Sequence, residues 1–436
     1  MHILNQLKRP TFFVALALIV VAPWWQPTVN AQENWPQWRG PNLDNISESK
    51  GLPDVLDEST LAWKVEMPGP AGASPVAWGD NIFVTSADGN ELVLMCVTTD
   101  GKLKWKKPLA GRDKKIRDRS NAASPSPLTD GKHVWVLSIG TLQCFDTEGQ
   151  LVWKKDLEED YGKFQIQFGM TSTPILHDDR LYVQLIHGPM RKKGTSTGWI
   201  VALNAKDGKE IWKHKRETDA IAENKHAYTS PTIYKGSGTP YLITHGGDFV
   251  IGHSLKDGSE AWRCGGFNPK GSSYNMYLRM VASPVCTKDM IVVPSAKNGP
   301  VYALKPDLEG DVTEQQDAKI WEIKKGTPDV ATPLIHDGMV YLARENGVII
   351  GLDAKNGEKL FEERVLSGKH RSSPVAGDGK IYLLGRKGEA LVLKPGRELA
   401  IASESNLEEE ITASPAIAGD MVIVRSYKHL FAFKKK

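Results

Sequence analysis

The run Ala202-Leu203-Asn204-Ala205-Lys206-Asp207-Gly208-Lys209-Glu210-Ile211-Trp212 decides the fold, because the chain writes it more than once. It returns as Gly351-Leu352-Asp353-Ala354-Lys355-Asn356-Gly357-Glu358-Lys359-Leu360-Phe361, and its second half as Asp257-Gly258-Ser259-Glu260-Ala261-Trp262. Each version reads as a short apolar strand, a polar turn with glycine, and a strand carrying one aromatic residue. Working outward from it, eight copies of a longer unit emerge. Each opens on a hydroxyl residue and proline: Ser74-Pro75, Ser126-Pro127, Thr173-Pro174, Ser230-Pro231, Ser283-Pro284, Thr332-Pro333, Ser373-Pro374 and Ser414-Pro415. The spacings of 41 to 57 residues fall in the range for propeller blades.

Proline can open a strand, where its missing N–H does least harm. Tight turns such as Gly79-Asp80-Asn81 and Gly377-Asp378-Gly379 then lead into apolar strands such as Ile82-Phe83-Val84. Four short antiparallel strands per copy make one blade. The eighth copy ends at Phe433 after three strands, while Leu61-Ala62-Trp63-Lys64-Val65 carries a tryptophan with no repeat before it. Pairing these ends closes the ring and removes the unpaired sheet edges an open array would leave. The expectation is therefore an all-β, eight-bladed β-propeller over residues 59–436, its last blade completed by an N-terminal strand. The repeated aromatics Trp63, Trp105, Trp153, Trp212, Trp262, Trp321 and Phe361 read as structural docking residues. Each ring would pack between adjacent blades while an indole N–H meets a backbone acceptor. The seventh copy has no such aromatic, and Leu399 stands in.

Residues 1–31 read as a cleaved export signal. Lys8 and Arg9 precede the apolar run from Thr11 to Ala22, and Val29-Asn30-Ala31 offers a small-x-small cleavage site. Residues 32–58 are expected to be irregular. The mature chain is then periplasmic or secreted, a monomer with no transmembrane segment. Its net charge of +3 is too small to argue for nucleic acid. Four cysteines in an exported chain invite disulfides. Cys96 and Cys144, however, occupy the same position in neighbouring repeats, about 10 Å apart, and are expected as buried thiols. A Cys264–Cys286 bridge stays open.

The pattern resembles the PQQ-like, quinoprotein-type propeller repeat over about residues 60 to 433. Trp35-Pro36-Gln37-Trp38-Arg39-Gly40-Pro41 resembles the opening of exported PQQ-like propellers of planctomycete-type bacteria, which implies a segment laid across the propeller. The resemblance includes quinone-dependent dehydrogenases as well as non-catalytic assembly proteins, and fold cannot choose between them. The dehydrogenases of this class carry an adjacent cysteine pair and a calcium site, and the chain offers no Cys-Cys. No HExxH, P-loop or CxxCH motif occurs. The preferred reading is a non-catalytic binding or assembly scaffold without cofactor or metal, its partner another envelope protein or a small anionic ligand. The alternative is a dehydrogenase of alcohols or sugars using PQQ with calcium.

One candidate site follows from topology. Loops after the second strands carry His245, Lys297, Arg344, Arg386 and Arg425, and loops entering the first strands carry Arg279, His370 and Arg371. All should reach one mouth of the axis, where a ring of cations would attract carboxylate or phosphate. The basic stretches 112–119 and 191–193 read as solvated surface.

Overall fold

Proline-led strands alternate with turns that demand left-handed backbone, and the structure follows that rhythm. Asp178, Asp179, Asp337 and Asp378 all take positive φ at the first turn of their copies, as short polar side chains tolerate. A computed structural model describes residues 34–112, 123–190 and 196–436. The export signal and both basic stretches fall outside that range, save Arg112 at its edge. Among the described residues there are eight sheets, each built on four antiparallel strands. Blade 1 comprises Val76–Trp78, Asn81–Asp88, Glu91–Thr98 and Leu103–Arg112. Blades 2 to 7 span residues 128–156, 175–218, 232–264, 285–323, 334–364 and 375–406.

Blade 8 joins the two ends of the chain. Ala416–Ala418, Met421–Arg425 and His429–Lys434 are completed by Leu61–Glu66, with Leu61 opposite Phe433, Trp63 opposite Ala432 and Lys64 opposite Phe431. The core lies between blades: apolar faces of successive sheets are buried against each other, so each blade depends on both neighbours.

The docking aromatics divide into two groups. Trp63, Trp105, Trp153, Trp212 and Trp321 each donate the indole N–H to a carbonyl of the next blade: Thr99, Thr147, Ala205, Leu255 and Ala354, at 2.7–3.1 Å. Each ring lies against the glycine of that blade's outer turn. A Cβ on Gly258 (φ +76°) would sit 2.5 Å from Trp212, so glycine is required there for both space and backbone. Trp262 and Phe361 sit in apolar clusters shared with the next blade but make no such bond. Trp262 is buried, yet its indole nitrogen has no acceptor, and it packs onto Gly252 of its own blade. The cause is a longer outer connection in blade 5, whose Gly310–Asp311 lies parallel to Trp262-Arg263 where the docking turn would be. Phe361 rests on Gly351 in the same way. All four cysteines are free, so no Cys264–Cys286 bridge forms. Burial pushes the thiols of Cys96, Cys144 and Cys264 up to about 12.

Candidate functional site: the axial channel and its loop face

The hydroxyl residues that open the copies meet around the axis. The backbone N–H of each donates to the side-chain oxygen of the next: Ser74 to Ser126, Ser126 to Thr173, Thr173 to Ser230, and Ser230 to Ser283, at 2.8–3.1 Å. Ser283 then donates to Thr332 at 3.4 Å, Thr332 to Ser373, Ser373 to Ser414 and Ser414 back to Ser74, the last three at 2.9 Å. Eight bonds therefore close a circle. Serine or threonine is needed because the N–H before proline has no partner within its own blade and would otherwise be buried unpaired.

One end of the channel is closed by the N-terminal segment, which is less irregular than its sequence suggests. Successive residues serve successive blades. Trp35 bridges Ala77 of blade 1, with N–H to O distances of 2.9 Å in both directions. The Pro36 carbonyl accepts from Thr129 of blade 2 at 2.8 Å, and the Gln37 side chain accepts from Leu176 of blade 3 at 3.0 Å. The fully buried Arg39 guanidinium donates to the Pro231 and Pro284 carbonyls of blades 4 and 5, both at 2.7 Å. Burial lowers its pKa to about 10. Further on, Ile46–Ser47 pairs in parallel with blade 7. Trp38 faces the hydroxyl circle and floors the channel.

Two residues before each circle member, alternation along the strand brings a second tier into the lumen, including Ser124, Thr171, Tyr228, Arg371 and Thr412. Phe168, Arg279 and Tyr427 complete the mouth. The cavity holds about 230 Å³, and among the described residues no Asp, Glu, Asn, Gln or His lines it. Calcium binds oxygen ligands dominated by carboxylates, so a calcium–quinone pair does not fit these residues.

Of the eight cations expected at the mouth, the structure brings two there, Arg279 and Arg371. The other six are a correction. His245 is buried between blades, its Nε2 2.8 Å from the Pro294 carbonyl, and burial lowers its pKa to about 4. His370 is likewise buried, 3.0 Å from the Leu384 carbonyl, and lowered to about 4. Arg425 is buried and bonds the Gly69 carbonyl at 2.6 Å. Arg344 reaches Glu362 at 3.4 Å and Asn298 at 2.9 Å, and Arg386 pairs with Glu410 at 2.6 Å. Lys297 is exposed beside Tyr277. The physical reason is radial for five of them, whose side chains leave the ends of second strands, one layer out from the axis; His370 precedes a first strand but alternates with the lumen-facing Arg371, so it turns into the blade instead.

The loops around the mouth are unequal. Over blades 3 to 5 they are long and tied together. The Glu223 N–H donates to the Met276 carbonyl at 3.2 Å, and Lys225 reaches the Pro189 carbonyl at 3.4 Å. Arg279 pairs with Glu223 at 3.2 Å. These loops expose Met190, Ile221, Met276 and Tyr277, the last at 52%. Beside them a second cavity of about 520 Å³ is lined by Asp219, Asp248, Asp311 and Glu314, with Lys270 as its one cation. Burial pushes Asp248 up to about 6 against the opposing hydrogen bonds from Tyr274, Asn268 and Asn224. Sequence reasoning passed over these carboxylates because they come from separate loops with no fixed spacing.

The family profile described as outer membrane protein assembly factor BamB matches residues 54–305 and 309–435. A curated relative of that name from Moranella endobia is 24% identical over 256 residues, 58% of this chain and 59% of its own. The chain thus spans about three fifths of that relative's length. Among solved structures, BamB from Moraxella catarrhalis superposes with a TM-score of 0.61 at 12% identity, covering 86% of this chain and 97% of that one. Quinohemoprotein alcohol dehydrogenase from Comamonas testosteroni gives 0.67 at 12% identity, covering 93% and 81%. Both likenesses are of fold.

Proposed function

The chain belongs to the family of outer membrane protein assembly factor BamB, and from that membership we propose that it is a non-catalytic binding scaffold of the cell envelope, exported and docking another envelope protein on its loop face. The observation that carries this reading is the asymmetry of that face. Exposed apolar side chains rimmed by polar groups mark interaction sites, and Met190, Ile221, Met276 and Tyr277 stand on one connected set of loops. The adjoining carboxylates complement a basic side chain of the partner, giving an apolar anchor and a charged register. The scaffold works without a cofactor. Among the described residues no helix is long and apolar enough to cross a membrane.

The test is recovery of the tagged chain from detergent-solubilised envelopes. One partner in fixed stoichiometry is expected with the natural chain and with Ile401→Glu on the outer rim of blade 7. The double variant Met276→Glu/Tyr277→Glu should lose it. Retention by the double variant, or dye-linked turnover of alcohols or aldoses after adding PQQ and calcium, would overturn the reading.

A further inference from the structure

We propose that the axial channel is a binding site for one small, oxygen-rich carboxylate of the hydroxy-acid or sugar-acid class, separate from the loop-face surface. The hydroxyl circle supplies the donors. Each of its oxygens already accepts a backbone N–H from the neighbouring blade. A hydroxyl that accepts in this way still has its proton to give. Ser74, Ser126, Thr173, Ser230, Ser373 and Ser414 line the cavity, so six O–H donors surround one axis. Among the described residues, no carboxylate or carboxamide of the lining would consume them. The lumen therefore asks for acceptors.

Charge points the same way. Among the described residues, Arg279 and Arg371 are the ionised groups of the lining, and both are cationic. Arg279 gives its Nε to Glu223 and lies over the Phe168 ring at 5.3 Å, which holds the guanidinium at the rim. A carboxylate at the rim would meet guanidinium, in the geometry that suits bidentate pairing. The rest of the ligand would extend inward among hydroxyls. Its depth ends at the Trp38 indole, with Tyr228 beside it, which favours a molecule with a flat or C–H-bearing face over a bare inorganic ion. A volume of about 230 Å³ lies below the roughly 300–1,000 Å³ of drug-sized pockets, so the occupant is sugar-sized.

The experiment is calorimetric titration of the purified full chain with D-glucuronate, D-glucose and inorganic phosphate, with tryptophan fluorescence followed in parallel. Saturable one-to-one binding of glucuronate is expected, with a fluorescence change that Trp38→Phe removes. Arg371→Gln should weaken it about tenfold or more, the loss of a charge-assisted hydrogen bond, and Arg371→Lys should restore part. Because Arg279 also positions a loop, Arg279→Gln is read only alongside an unchanged thermal midpoint. Glucose or phosphate binding as tightly as glucuronate, no saturation with glucuronate, or indifference to Arg371→Gln would overturn the proposal. The loop-face reading is untouched by any of these results, since Met276→Glu/Tyr277→Glu should leave glucuronate binding unchanged.

Discussion

The hydroxyl circle and the loop face lie a few residues apart along the same strands, yet they obey different rules. Around the circle, eight copies make the same bond to the next copy, and substituting one blade for another would change little. On the loop face the blades differ. Blades 6 to 8 finish in short turns, whereas blades 3 to 5 send out connected loops carrying exposed Met276 and Tyr277. Repetition is what a ring needs in order to close. Departure from repetition is where a surface can become particular to one partner, as loops set on a rigid scaffold commonly do. The regular region should therefore answer to stability measurements and the irregular one to binding.

The largest expected effect tests the regular side. A chain lacking residues 34–66 loses both the closing strand Leu61–Glu66 and the segment that holds Arg39 under blades 4 and 5. It should show no single cooperative thermal transition, and a sharp transition would break the ring account. Trp212→Ala comes next. Loss of a buried aromatic and of its bond to Leu255 should cost about 3–5 kcal/mol in denaturant unfolding. Ser126→Ala removes the acceptor of the Ser74 N–H, and an orphaned buried donor costs about 1–3 kcal/mol. Equal costs for alanine at Ser126 and at Ser373 would sharpen the claim that the circle is uniform.

A pH effect should cut across both regions. His187, His245 and His370 are lowered to about 4 and His253 to about 3, in each case chiefly by burial. Their unfolded value is 6.5, so the unfolded chain takes up protons first as pH falls. The stability they lend is fully present above about pH 6.5 and drains away towards about pH 4. Asp248, raised to about 6, runs the other way and is stabilised as it protonates. Burial raises Asp44 as well, but the four histidines outweigh these two carboxylates, and thermal midpoints should fall over that interval. A rise would contradict the burial of these rings.

The blades and their closure were largely legible in the sequence, because a period survives variation in single residues. Ser74-Pro75 recurring as Ser414-Pro415 is enough to count blades, and an unmatched Trp63 is enough to close them. The function of the hydroxyl was not legible, since its partner lies on the next blade, 41 to 57 residues away. The mouth was legible only in part. Arg425 and Tyr427 belong to one loop, but Arg425 is buried against Gly69 while Tyr427 reaches the lumen. Which of two neighbours turns inward depends on radial position, which a list of loops does not carry. A period-two reading backwards from each Ser or Thr would have found Arg371 and Tyr228, because strand alternation places them one step above the circle. That Trp262 would lack the bond to the next blade's turn was hidden for a similar reason, as the insertion beside it comes from the following copy. The order in which Trp35, Pro36, Gln37 and Arg39 meet blades 1 to 5 had no precedent in the repeat.

The most direct test of the claim that function resides in the irregular face is site-specific photo-crosslinking in intact cells. A photoreactive residue would be placed at Ile221, Met276 or Tyr277 on the loop face, and at Leu103, Leu151 or Ile401 on the exposed outer rim. The account predicts one adduct of the same mass from the three loop positions and none from the rim. Adducts from the rim, with none from the loops, would contradict it.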